Sequence, residues 1–230
     1  MKIIRKFGNK KLDLELLKNS ESIEIAALSI PTKRIILMEQ VHSDRIKIVE
    51  ENDLKMHRIS LPISGVDGLI TNVPNIFLAA KTADCIPILL WDEAKKVIAA
   101  LHSGRKGTEL NIAGKAVQIF VQKFNCNIAD IKVEIGSAIC VNCYPVDQKT
   151  FADFVLKTEV AQTFPNLDLK KVVKTELEES GIPEENIFDH NICTKEDSRY
   201  FSYRENGTKR RQVSVIGMQD LTRSEARVEN

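Results

Sequence analysis

Two almost unbroken apolar runs, Ile86–Trp91 (IPILLW) and Val97–His102 (VIAALH), constrain this chain more than any other feature. A strand with one wet face alternates apolar and polar side chains, whereas a run apolar throughout belongs where both faces are covered. Asp92–Lys96 is polar and short enough to turn one run back on the other. The stretch 79–108 therefore reads as strand, hairpin, strand, and then a basic glycine loop that opens a helix. The remainder of the chain reads as its support.

Strands are expected at 2–7, 34–40 and 44–50, rich in β-branched residues, then at 69–71, 76–81, 131–135 and 213–218. A helix is expected between Leu12 and Leu28, where Leu14, Leu17, Ile25 and Leu28 fit helical turns. Thr108 is the expected N-cap of a helix running to about Phe124. Two more helices are expected at 147–164 and 167–180, with Gly181 and Pro183 as the stop. Residues 51–64 read as a polar loop, and Tyr200–Arg204 as a strand-like run. Strands outnumber helices and are joined mostly by short turns. The expected class is therefore α+β: one domain, residues 1–230, of layered mixed β-sheets flanked by helices.

At 230 residues the chain is long enough to bury a large core, and 43% hydrophobic with 28% charged residues suits a soluble globular protein. A formal net charge of +1 gives no electrostatic footprint for a nucleic acid. The longest apolar run contains Pro87 and is far too short to cross a membrane. The first residues, MKIIRKFGNKKLD, lack an apolar signal core, and five cysteines is an odd number. Reduced thiols in a cytoplasmic protein are expected, so each cysteine is filler, ligand or nucleophile.

Cys85 opens one strand of the hairpin and His102 closes the other, so an antiparallel pairing brings them to about 5 Å. His42, in the break between two strands, is the natural third member. One thiolate and two imidazoles suit Zn²⁺ and leave a fourth position open. Two other readings use the same residues: Cys85 as a small core side chain beside a satisfied histidine, or a metal-free thiolate–imidazole nucleophile couple. Asp84 either orients a ligand histidine or caps a turn. Arg105 and Lys106 stand at a helix N-terminus, where an anion binds readily, although a solvated basic turn has the same composition. Cys140 and Cys143 form a CxxC, which invites a structural zinc reading with His190 and Cys193, although the second CxxC or HxxxH half is missing. Tyr200, Phe201 and Tyr203 are core residues, or one of the rings stacks on a substrate base, and Arg204 meets an anion or a surface partner.

Several of these segments resemble the YfiH family, also called the laccase-like multicopper polyphenol oxidase or DUF152 family. It includes bacterial purine nucleoside phosphorylases and the animal laccase-domain protein FAMIN. The matching segments are QVHSDRI (40–46), VDGLITN (66–72), TADCIPILLWD (82–92), HSGRKGT (102–108), IGSAICVNCYPV (135–146), NICT (191–194) and YFSYRENGTKRR (200–211). The resemblance implies a YfiH-like fold and a metal, usually zinc with copper as the alternative, on His42, Cys85 and His102. It implies phosphorolysis of adenosine, inosine, guanosine and methylthioadenosine, with adenosine deamination as a companion activity. On that reading Cys85, His102, His42 and Asp84 serve catalysis, and Arg105, Lys106, Tyr203 and Arg204 serve phosphate and nucleoside. A copper-dependent phenol oxidase and a diverged, non-catalytic metal-binding member are the alternatives.

The family's HAGWRGT is HSGRKGT here, with Arg105 in place of tryptophan and Lys106 in place of arginine. Lysine keeps the charge and loses the bidentate fork. The glycine and proline positions of the cysteine loop have changed, and no GFSTRxGGVS-like segment is found near the N-terminus. The expectation is metal binding, with altered specificity or lost turnover.

Overall fold

The expected central hairpin lies at the middle of four layers. The structure, a computed structural model, describes residues 1–56 and 61–219, with backbone alone at 55 and 56. Its strands and helices in chain order are β1 (Lys2–Lys6), α1 (Leu14–Asn19), β2 (Ser22–Ile25), β3 (Leu28–Pro31), β4 (Ile35–Leu37), β5 (Ile46–Ile48) and α2 (Glu51–Met56). Next come β6 (Gly68–Thr71), β7 (Phe77–Thr82), β8 (Ile86–Asp92), β9 (Val97–Ser103), α3 (Arg105–Glu109) and α4 (Ile112–Phe124). The last are β10 (Lys132–Ile135), α5 (Gln148–Thr158), α6 (Leu169–Glu179), β11 (Ile187–Asp189), α7 (Tyr203–Asn206) and β12 (Gln212–Gln219).

A six-stranded sheet runs β11-β10-β8-β9-β6-β5 and a four-stranded sheet runs β1-β12-β7-β4. Both are mixed: β10–β11, β5–β6 and β4–β7 pair in parallel, and the other pairs are antiparallel. Leu89, Trp91, Ile98 and Ala100 meet Ile36, Leu78, Ala80 and Ile216 between the two sheets. On the opposite face, Ile88, Leu90, Ala99 and Leu101 pack under α4, α5 and α6, against Val117, Phe120, Phe154 and Val173. Every residue of β8 and β9 is buried. Each large aliphatic side chain so covered contributes roughly 1.5–3 kcal/mol, which gives the side chains at the open end of the hairpin a firm base.

Both faces of the hairpin are apolar, so the pattern alone does not resist a one-residue slip. The turn does. Asp92 Oδ1 accepts the Lys95 N–H at 2.8 Å, Lys96 takes a left-handed φ of 56°, and Pro87 then pairs with His102.

Four local expectations are corrected. The helix expected from Leu12 to Leu28 is only α1, capped by Asp13, followed by a β2–β3 hairpin. Ile23, Ile25 and Ile30 point inward against the far face of the four-stranded sheet. Ile25 and Leu28 fitted helical spacing by chance, and the turn escaped notice because Ala26 and Ala27, not glycine or asparagine, carry its positive φ values of 49° and 62°. Within the expected 51–64 loop, residues 51–56 are helical, with Asp53 Oδ2 accepting the Glu50 N–H at 2.8 Å. The helix expected from Thr108 is two helices: Gly104 stands at the N-cap of α3, and Asn111 caps α4 through Gly114 N–H at 2.7 Å. Thr108 is inside α3, its hydroxyl bonded to Ser103 at 2.9 Å. Tyr200–Arg204 is not a strand: Phe201 is buried, and α7 starts at Tyr203 behind a Ser202 cap. Among the described residues, no helix is long and apolar enough to cross a membrane. His57 lies outside the described residues.

Candidate metal centre

Three elements deliver three donors. Cys85 immediately precedes β8, His102 is the penultimate residue of β9, and His42 stands in the 38–45 segment beside the start of β6. Their donor atoms all lie within 4.8 Å of one another. Cys85 Sγ is 3.9 Å from His42 Nε2, and the two imidazoles meet edge-to-face with centroids 4.9 Å apart. His102 is buried and His42 is exposed, so the cluster opens to solvent on the His42 side.

Asp67, marked in the sequence only within the VDGLITN segment, organises this cluster. Its fully buried carboxylate accepts His102 Nδ1–H at 2.8 Å, which turns Nε2 toward the other donors. It also accepts the backbone N–H groups of Val41, His42 and Ser43 at 3.1, 3.0 and 2.7 Å, and the Ser43 hydroxyl at 2.8 Å. These bonds hold His42 in a left-handed conformation, φ 60°, which a non-glycine residue adopts only when its surroundings enforce it. Gln40, also at positive φ, binds the Lys81 backbone in both directions (2.6 and 2.8 Å) and ties this segment to the end of β7. The first glycine of HSGRKGT has a steric task. A Cβ on Gly104 would stand 2.9 Å from Cys85 Sγ and 3.0 Å from His42 Cδ2, filling the space between the donors.

Electrostatics in the metal-free protein follow from this packing. Burial alone would raise the Asp67 carboxyl, but the bonds from His102 and Ser43 prevail and hold it well below the usual range. Burial also opposes the Cys85 thiolate, yet the His102 charge, with hydrogen bonds from both histidines, pulls the thiol down to about 6. Against its own burial, His102 is pushed up to about 9 by the Cys85 charge and by Asp67. Both shifts favour the thiolate–imidazolium form of the pair over the neutral one. A cation that displaced the imidazolium proton would find an ionised sulfur and two imidazole nitrogens, the one on His102 already oriented by Asp67. That donor set fits Zn²⁺ with one position left open. Copper has the same donors to use.

Residues 13–219 match the family model described as multi-copper polyphenol oxidoreductase laccase. The chain belongs to that family. Its relatives include "Purine nucleoside phosphorylase Cj1217c" of Campylobacter jejuni, 36% identical over 82% of this chain and 79% of that protein. Another is "Purine nucleoside phosphorylase YlmD" of Bacillus subtilis, 30% identical over 90% of this chain and 79% of the relative. Among solved structures, YlmD from Geobacillus stearothermophilus superposes with a TM-score of 0.75 at 27% identity, covering 95% of this chain and 91% of that one. The YfiH protein of Bacillus licheniformis gives 0.73 at 31% identity, covering 81% and 75%.

In this laccase-family chain a cavity of about 540 Å³ opens over Cys85, His42 and His102. Its wall carries four cations, Lys81, Arg204, Lys209 and Arg211, and two phenol rings, Tyr144 and Tyr203. Of the residues expected to meet substrate, Tyr203 and Arg204 are there. Arg105 and Lys106 are not. Arg105 pairs with Glu109 and lines a neighbouring cavity of about 430 Å³, whereas Lys106 is exposed and lines neither. Arg204 joins the two spaces: its guanidinium lies 4.7 Å over the Tyr144 ring and donates to Pro145 O at 3.0 Å. Lys81, Lys209 and Arg211 escaped sequence reasoning because they come from β7 and from the segment before β12, neighbours only through the β7–β12 pairing.

Asp84 stands beside Cys85 but does not orient a histidine. Its carboxylate accepts Thr194 Oγ1–H and Arg204 N–H, both at 2.7 Å, and its carbonyl accepts Ile139 N–H at 2.9 Å. At φ 94° it is a strained crosspiece that ties three loops behind the thiol. His190 is also elsewhere, bonded to Glu134 at 3.1 Å and packed on Phe7.

Proposed function

We propose that this chain is a purine nucleoside phosphorylase acting on adenosine, inosine, guanosine and methylthioadenosine, with Zn²⁺ on His42, Cys85 and His102. The observation that carries the reading is the cavity over the triad, where four cations and two phenol rings face the same space. Phosphate needs the former, and a purine nucleoside needs an amphipathic wall such as the latter. The names of the relatives support the same class. A zinc ion bound there supplies Lewis acidity.

The chain's own residues do the rest. Arg204, Lys209 and Arg211 hold the phosphate dianion, and a phosphate oxygen attacks ribose C1′. The C1′–N9 bond breaks, the purine leaves with the bonding pair, and a proton must reach it. Lys81 Nζ is the donor in this reading. Burial, aided by the charges of Lys18 and Arg211, lowers its pKa, which makes it a readier acid than a free lysine. The products are ribose 1-phosphate and the free base. Cys85, His42 and His102 act as ligands, and Asp84 positions the backbone of Arg204. The reading takes residues 1–230 as one such domain in the cytoplasm, where its five free thiols would stay reduced.

The test is release of hypoxanthine from inosine by metal-loaded protein, measured with and without phosphate, and of ammonia from adenosine for the companion deamination. No free base from any nucleoside of the panel would end the reading and leave a non-catalytic metal protein. The family's description favours copper-dependent phenol oxidation as a second reading. A trinuclear copper cluster needs more imidazoles than a chain with four histidines offers, one of them, His190, turned to Glu134. Oxygen consumption with a phenol at one copper per chain would restore it.

A further inference from the structure

We propose that Cys140, Cys143, Cys193 and Glu196 form a second metal site, a closed Zn²⁺ centre that clamps the loop carrying Tyr144. Two turns of the same spacing face each other, Cys140-Val-Asn-Cys143 and Cys193-Thr-Lys-Glu196. The half missing from the sequence is a Cys-x-x-Glu. Its donor atoms and those of the CxxC all lie within 4.8 Å of one another. Cys140 Sγ and Cys143 Sγ both point at Glu196 Oε1, at 3.6 and 3.4 Å. Zinc–sulfur bonds of about 2.3 Å set tetrahedral donors about 3.8 Å apart, so a slight contraction seats the ion.

The backbone supplies a donor to one of these sulfurs. Cys140 N–H reaches Cys193 Sγ at 3.3 Å, and Cys143 N–H closes the same turn on Cys140 O at 3.1 Å. A merely buried thiol is a weak acceptor with little call for such a donor, whereas a metal-bound thiolate takes one readily. None of the three cysteines is in a disulfide. Four protein ligands leave no open position, the mark of a structural rather than a catalytic centre.

The place of the site suggests what it holds. Ala138 and Cys193 form a parallel bridge, Thr194 N–H donates to Ala138 O at 3.1 Å, and Thr194 Oγ1 donates to Asp84. Tyr144 follows Cys143 directly and lines both cavities. An ion here fixes that wall and the crosspiece behind Cys85.

Elemental analysis of zinc-reconstituted, desalted full-length protein should find two equivalents in the wild type and one each in Cys85→Ala and Cys143→Ser. Cys85→Ala protein loaded with Co²⁺ should show a thiolate-to-cobalt charge-transfer band, because the four proposed ligands are intact there. It decides the matter even if Cys143→Ser fails to fold. A Cys85→Ala protein with no zinc and no band would overturn the proposal. So would a disulfide among the three thiols in protein prepared under reducing conditions. Neither result depends on nucleoside turnover, so this site and the enzymatic reading fail or survive separately.

Discussion

Replacing Asp67 with asparagine tests the organisation of the triad. The carboxylate takes five donors on two oxygens: His42 N–H and His102 Nδ1–H on Oδ1, and Val41 N–H, Ser43 N–H and Ser43 O–H on Oδ2. An amide presents one oxygen, so at least two donors lose their acceptor whichever way it flips. At about 1–3 kcal/mol for each buried donor left without a partner, Asp67→Asn should cost roughly 2–6 kcal/mol. The loss of the second-layer partner of His102 should also weaken metal binding about 10–100-fold. Denaturant unfolding of metal-free protein reads the first number, and a zinc competition titration reads the second. The pH dependence supplies a further check. Asp67 is held below its usual value, so its stabilisation is complete above about pH 4 and declines as the pH falls below that. The gap between wild type and Asp67→Asn should therefore narrow in acid. His102 contributes in the opposite sense: its stabilisation is complete below about pH 6.5 and is lost as the pH rises through about 9. An asparagine variant within about 0.5 kcal/mol of wild type, with unchanged zinc affinity, would refute this account of Asp67.

Alkylation of Cys85 in metal-free protein should follow a midpoint near pH 6, and a midpoint near the free-thiol value of about 8.5 would sink the thiolate–imidazolium pair. Gly104→Ala should lower zinc affinity at least tenfold while α3 persists by circular dichroism, since its Cβ meets Cys85 Sγ and His42 rather than the helix; equal affinity would show that the donors have room to spare. Arg211, its guanidinium tied to Thr208 O and Arg210 O at 2.8 Å, should raise the phosphate KM about 10–100-fold when changed to alanine, the worth of one charge-assisted bond. Lys106→Ala should leave that KM within about twofold, and a larger effect would return the phosphate to the HSGRKGT loop.

The central hairpin was legible because its signal is local: two apolar runs and a polar turn fold back on each other, and the Asp92 bond and left-handed Lys96 of the turn set the register that carries Cys85 to His102. The β2–β3 hairpin was not legible. Its inward residues Ile23, Ile25 and Ile30 are too few to separate a period of two from a helical one, and the far sheet decided between them. The split into α3 and α4 depended on Asn111 accepting a left-handed φ, which its side chain tolerates but does not announce.

The candidate site divides in the same way. Cysteine and histidine are rare here and chemically distinctive, so His42, Cys85 and His102 stand out of the sequence as donors. Asp67, Lys81, Arg211 and Glu196 belong to residue types that make up 28% of the chain and usually face water, and nothing in their spacing marks them. The tertiary structure alone selects them. Pairing of β6 with β9 sets Asp67 beside His102, the β7–β12 pairing gathers the cations, and the Ala138–Cys193 bridge brings a Cys-x-x-Glu turn to a Cys-x-x-Cys 50 residues earlier (143 to 193). The sequence by itself determined which atoms can bind a metal. Which carboxylates and cations stand beside them was decided by strand pairings between distant segments, because hydrogen bonds and Coulomb forces act over a few ångströms of space, not along the chain.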